Sequence, residues 1–219
     1  MDRRSFLLGA AATGIGAAWW TGSIPERTEV LDAAGNVTNS TDEPERANTD
    51  SEQSGESDFT VDQASVEEAF RNDFNAMRRE QNLQVATIDS RLSNMGQAHA
   101  ENMAEHDYIG HEQPDGTTIE DRYQERGLLG ECRLPVPGDS RYYPGAENAA
   151  GAAMGQVTHP GTDKFFNVQT DADLAEFLMS SWMSSDGHRR VMTLPAVRRI
   201  GLGVAARSEE QIYAALEFC

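Results

Sequence analysis

Ile200-Gly201-Leu202-Gly203-Val204-Ala205-Ala206 and Gln211-Ile212-Tyr213-Ala214-Ala215-Leu216-Glu217-Phe218 are short runs of β-branched, aromatic and small residues on either side of the polar turn Ser208-Glu209-Glu210. They read as a β-hairpin. Upstream the period changes from two to about 3.6. Val66, Phe70, Phe74 and Met77 fall on one face and give a first helix to about Glu80, with Ser65 and Glu68 as a capping-box signature. Asp89 is placed to cap a second helix that turns Leu92, Met95, Ala98 and Met103 inward and ends near Tyr108-Ile109-Gly110. A third starts at Asp171 or Asp173 and buries Leu174, Phe177, Leu178 and Trp182. Residues 127–170 are rich in Gly, Pro and Asn and read as long loops with at most one short strand. Helices first and an antiparallel sheet last define an α+β domain.

The chain has 219 residues, enough for one good-sized domain and short for two. It carries 36 Asp and Glu against 18 Lys and Arg, a net charge of −18. That balance excludes nucleic acid as a partner, because neutralising phosphates needs a basic patch. The bases are 17 Arg and a single Lys, Lys164. Such acidity with so little Lys reads as a design for high salt, where counter-ions screen self-repulsion; an acidic protein of ordinary surroundings is the alternative. The charge divides the chain into three parts. Residues 1–23 read as an export signal, residues 24–62 hold 11 acids and 2 bases, and residues 63–219 form the folded domain with 24 acids and 14 bases.

Arg3-Arg4-Ser5-Phe6-Leu7-Leu8 resembles the twin-arginine export motif, with Leu8 where a Lys is usual. The apolar run Phe6–Trp20 has 15 residues, fewer than the roughly 20 of a spanning helix. A signal of this type implies the twin-arginine export machinery as a partner. The segment is either cleaved around Gly22–Ser23 or kept as an uncleaved membrane tether. The acidic stretch 24–62 is too poor in aliphatic residues to offset the entropy of folding and reads as a disordered spacer. Asn36-Val37-Thr38 and Asn39-Ser40-Thr41 within it are N-glycosylation sequons.

Cys132 and Cys219 are the two cysteines, and both lie beyond the export signal. In an oxidising compartment they pair with each other; two free thiols are the alternative. Of the five histidines, His99 and His106 stand seven apart on one face of the second helix, without the His-Glu-x-x-His pattern of a metalloprotease. His111 and His188 stand at element ends, where functional groups collect. A serine hydrolase built on Ser184 or Ser185 with His188 is disfavoured by the absence of Gly-x-Ser-x-Gly.

Several stretches carry a family resemblance. Phe74-Asn75-Ala76-Met77-Arg78-Arg79 with Asn82-Leu83 resembles the opening helix of the CAP superfamily, which comprises cysteine-rich secretory proteins, antigen 5, pathogenesis-related 1 proteins and prokaryotic SCP-like domains. Ala98-His99-Ala100, Met103-Ala104 and Tyr108-Ile109-Gly110-His111 with Pro114-Asp115-Gly116 resemble its second helix and first histidine motif. Ala146-Glu147-Asn148 is similar to its Gly-Glu-Asn motif, and Trp182-Met183-Ser184-Ser185-Asp186-Gly187-His188-Arg189 to its second histidine motif. Ile200-Gly201-Leu202-Gly203-Val204 matches the strand that follows.

The resemblance implies an α-β-α sandwich with a small antiparallel sheet between helices. It implies a cleft lined by His111, Glu147 and His188 with Asn148 beside them. The second cleft glutamate of many relatives falls here on Ser185. Two neutral imidazoles and a carboxylate have the donor types for a divalent metal such as Zn²⁺ or Ca²⁺. The reading for this chain is therefore an exported, extracellular or surface-tethered domain. Its cleft binds a metal, lipid, peptide or other small extracellular molecule. The alternative is a metal-dependent peptide hydrolase with Glu147 as its catalytic residue.

Overall fold

In the computed structural model, which describes residues 60–136, 138, 140–159 and 164–219, the elements follow in order. They are α1 (Gln63–Glu80), β1 (Thr87–Ile88), α2 (Ser90–His106), α3 (Ile119–Glu125), β2 (Leu134–Pro135), β3 (Tyr142–Tyr143) and β4 (Ala146–Ala152). β5 (Gly155–Thr158), β6 (Phe165–Val168), α4 (Asp171–Ser184), α5 (Asp186–Met192), β7 (Arg199–Ser208) and β8 (Gln211–Phe218) complete the chain. The export motif, the acidic spacer to residue 59 and both sequons lie outside the described residues.

β7 and β8 form the expected hairpin, the spine of a four-stranded sheet ordered β1-β7-β8-β4. β4 joins β8 antiparallel, from Ala146 opposite Phe218 to Ala152 opposite Ile212. One correction applies: the two-residue β1 pairs parallel with β7, so the sheet is not wholly antiparallel. Residues 127–170 are also more ordered than a run of loops. They hold β2 to β6, in the two hairpins β2–β3 and β5–β6 and the sheet strand β4.

β8 is buried on both faces, which is why its sequence is nearly continuous in apolar residues rather than alternating. Ile212, Ala214, Leu216 and Phe218 join Val66, Phe70 and Phe74 of α1 and Leu174, Leu178 and Trp182 of α4 in the larger core. Tyr213 and Ala215 point the other way, onto Ala100, Met103 and Ala104 of α2. Helices thus cover both faces of the sheet, and the α-β-α sandwich of the α+β reading is observed.

The open edge of β7 beyond β1 is closed by side chains. Glu67 accepts from Leu202 N–H at 2.8 Å, Gln63 Nε2 donates to Leu202 O at 2.8 Å, and Gln97 accepts from Val204 N–H at 3.0 Å. Backbone groups that would otherwise invite another strand are therefore satisfied within the chain.

Two local readings change. Asp62, not Ser65, caps α1, accepting from the Ser65 N–H at 2.8 Å. On α2, Ala98 is exposed while His99 is fully buried, and His106 is exposed, so the two histidines do not share an environment. A residue seven positions on is rotated by about 20° in a straight helix, and α2 ends at His106, beyond the sheet it rests on. Cys132 and Cys219 are joined with an S–S distance of 2.02 Å, tying the loop after α3 to the end of β8.

Candidate functional site

β4 is the strand on which the site is built. Consecutive residues of a strand face opposite ways, and here Glu147 and Asn148 each engage one of the two histidine-bearing segments. The Asn148 amide donates to the His188 carbonyl at 3.4 Å. Glu147 accepts from His111: Nδ1 lies 2.7 Å from Oε1. The Trp182 indole N–H donates to Ala149 O at 3.3 Å, which holds α4, and α5 after it, against the same edge.

His111 lies in the loop that leaves α2 after Asp107, a residue in the left-handed region at φ 54°. That loop is fixed at three points. Tyr108 Oη donates to Asn102 at 2.7 Å, His99 Nε2 donates to Gly110 O at 2.8 Å, and Arg122 Nη1 donates to His111 O at 3.0 Å. The other arm of the Arg122 guanidinium reaches Glu147 Oε2 at 2.5 Å. One buried arginine therefore grips both the backbone of His111 and the carboxylate that binds its ring. The His111 side chain is 42% exposed while that of Glu147 is fully buried, so the imidazole reports to solvent and its anchor does not.

The electrostatics follow from this packing. Burial alone would raise the Glu147 carboxyl, but the His111 hydrogen bond, His99 and Arg122 outweigh it and bring the pKa to about 2. Glu147 is an anion at every ordinary pH. Burial lowers His99 and His188, the latter further by the proximity of His111, so both are neutral imidazoles at pH 7. The His188 ring makes no hydrogen bond to the described residues. His111 is held through Nδ1, which leaves Nε2 facing out as a lone-pair donor when Nδ1 carries the proton.

His111, Glu147, Asn148 and His188, the residues to which the resemblance pointed, thus stand on or beside β4. Ser185, at the position of the missing glutamate, is the residue between α4 and α5 and adds no carboxylate. Arg122 and Glu217 of this buried cluster were not among the residues read from sequence, and His99 was read on the second helix but not as part of the site. Glu217 carried a signal that was there to be read, since it is the one charged residue in the run Ile212–Phe218 of a strand with no exposed face.

Residues 71–218 match the cysteine-rich secretory protein family, CAP, and the chain belongs to it. No curated protein matches the chain in sequence. Among solved structures it is similar to an outer surface protein from Borrelia burgdorferi, at a TM-score of 0.52 and 15% identity over 72% of this chain and 94% of that one. An extracellular SCP-domain protein from Bacillus anthracis gives 0.48 at 18% identity over 71% of this chain. A cysteine-rich secretory protein from Staphylococcus aureus gives 0.42 at 17% identity over 71%. This chain spans 41% and 38% of the length of those two.

Proposed function

We propose that this protein is an exported CAP domain whose cleft presents two imidazoles, His111 Nε2 and His188, to a divalent metal and through it to an extracellular ligand. The carrying observation is the Glu147–His111 hydrogen bond of 2.7 Å with Arg122 behind it. A carboxylate on the far ring nitrogen is the arrangement that fixes the tautomer and orientation of metal-binding histidines.

Glu147 spends one oxygen on His111 and the other on Arg122, so it serves behind a metal ligand better than as one. Among the described residues no three His, Cys, Asp or Glu groups converge as a metal cluster. Two imidazoles with the remaining positions open suit Zn²⁺ held weakly, and suit neither a closed structural site nor Ca²⁺, which asks for six or more oxygens. Bound metal would supply Lewis acidity at the open face. A peptide hydrolase would further need a carboxylate free to take up a proton, and His111 and Arg122 hold both Glu147 oxygens in the ionised form.

Export is supported by Arg3-Arg4 and the short apolar run after them, by membership of the secretory family, and by the outer surface protein of similar fold. Among the described residues no helix is long and apolar enough to cross a membrane. The acidity and the lack of Lys favour a salty exterior as the place of work.

Calorimetric titration of the full chain with Zn²⁺ in high salt tests the site. One equivalent should bind to the wild type, and His111→Ala and His188→Ala should each abolish binding. Unchanged binding in both variants would put the metal elsewhere and end the proposal.

A further inference from the structure

Glu217 is the buried group that the cleft does not yet explain. It stands directly opposite Glu147 in the β4–β8 pair, and its exposure is 0%. From the other side α2 closes over it. A β-carbon at Gly96 would lie 3.5 Å from Glu217 Cγ, ordinary contact, so α2 packs directly over the Glu217 side chain. Across β7 its partner is Gly201, which brings no charge.

The charged and titratable groups facing Glu217 are few. β4 contributes Glu147 and α3 contributes Arg122 and Tyr123, while His99 of α2 faces Glu147. The Tyr123 hydroxyl is already shared between the Ala146 and Phe218 carbonyls and the Phe218 N–H, at 2.9–3.1 Å. His99 is neutral. Two carboxyls therefore stand in a sealed space with one guanidinium, and Arg122 bonds Glu147. Among the described residues no N–H reaches either Glu217 oxygen, and the carboxyl lies against Glu147 and Tyr123, so an ionised Glu217 would be a buried anion with no cation of its own beside another anion. Carboxyls that close together divide one proton between them. Glu147 takes the cation and the imidazole N–H, so the proton belongs to Glu217.

We infer that Glu217 is a neutral positioning residue of the cleft: it keeps its proton, hydrogen-bonds it to Glu147 across the strand pair, and so fixes the carboxylate that orients His111. Burial and the neighbouring Glu147 charge push its pKa well above the ordinary value, in agreement. The usefulness of this device rests on the imidazole reading above; the protonation of Glu217 does not.

The test is carboxyl-carbon and imidazole-nitrogen NMR on the full chain in high salt, with Zn²⁺ titration beside it. The glutamate carboxyl signal that disappears in Glu217→Gln should sit at the protonated position at pH 7. Glu217→Gln keeps an uncharged donor, and should keep both the Nδ1–H form of His111 and wild-type Zn²⁺ affinity. Glu217→Leu has no donor; it should disturb the His111 tautomer and weaken Zn²⁺ binding about tenfold. An ionised Glu217 signal at pH 7, or a His111 ring that is the same in Glu217→Leu, overturns the inference. If Glu217→Leu does not fold, the wild-type and Glu217→Gln signals still decide. Zn²⁺ binding absent from every variant, with the NMR as expected, defeats the proposed function and leaves the inference standing.

Discussion

Gly203 of β7 lies flush against the α2 backbone at Gly96 and Gln97: a β-carbon at 203 would come within 2.0 Å of the Gly96 carbonyl carbon and the Gln97 nitrogen. Helix and sheet meet here backbone to backbone, which brings α2, with His99 on it, down onto the buried carboxyl pair. Nothing at the contact is the flexible end of a side chain, so nothing can give way. Gly203→Ala should cost at least about 3 kcal/mol, the upper range for overpacking. Gly130, with open space around it, is the control, and Gly130→Ala should stay within about 0.5 kcal/mol of wild type. Guanidinium denaturation in high salt compares the two; equal midpoints would mean that the helix can lift off the sheet.

Arg78 is fully buried, and among the described residues no carboxylate pairs with it. Its guanidinium donates instead to the carbonyls of Gln84, Met192, Leu194 and Val197, at 2.7–3.2 Å. Burial lowers its pKa to about 10, so it stays charged at neutral pH and fastens the end of α1 to the segment between α5 and β7. Arg78→Met fills the space and strands the carbonyls. The expected loss is about 3 kcal/mol, since each unsatisfied buried group costs about 1–3 kcal/mol. Arg78→Lys, reaching fewer carbonyls, should fall between that variant and wild type in the same denaturation series.

The helices and the final hairpin were legible because their apolar spacing is set by the same core that buries them. Leu174, Phe177, Leu178 and Trp182 are inside as their period required. β4 was not legible, and its sequence shows why. Ala-Glu-Asn-Ala-Ala-Gly-Ala contains no β-branched residue, and it is a strand because β8 supplies a ladder and Trp182 a hydrogen bond. In the same way His111, Glu147 and His188 could be found from motifs, whereas Arg122 reads as one more surface charge in the short amphipathic run Ile119–Glu125. Only folding α3 against the His111 loop turns that arginine inward.

The pH dependence of stability has opposing contributions that can be separated by variants. The Glu147 pKa is depressed from 4.5 to about 2, so its contribution is present above 4.5 and is lost as pH falls toward 2. Glu217 is shifted upward, so its contribution is fully present below 4.5 and declines as pH rises. His99 and His188 are depressed below 6.5, and the unfolded chain takes up their protons first, so stability also falls as pH drops through 6.5. Measured from pH 2 to pH 8, Glu217→Gln should gain on wild type steadily as pH rises above 4.5. Glu147→Gln should be weakest relative to wild type above pH 4.5 and converge with it near pH 2. Parallel curves for Glu217→Gln and wild type would contradict the upward shift of Glu217.

The Cys132–Cys219 bond closes 87 residues of chain, a separation for which loop-closure entropy gives about 4 kcal/mol. The register at the end of the sheet does not depend on it alone. Cys219 N–H donates to Arg199 O and Arg199 N–H to Cys219 O, both at 2.8 Å, and the Tyr123 hydroxyl bridges Ala146 to Phe218. Cys132→Ser with Cys219→Ser should therefore keep the fold and the slope of the denaturation curve while lowering its midpoint by the equivalent of about 4 kcal/mol. Local opening should concentrate where the staple was, so the amides of Leu216 to Cys219 should exchange faster than those of Ile200 to Val204. Glu217 lies within that stretch. If opening there reaches the carboxyl pair, the double variant will also bind Zn²⁺ more weakly at pH 7, although neither cysteine touches the cleft. Zn²⁺ affinity equal to wild type, together with accelerated exchange, would show that the end of β8 can open without releasing Glu147.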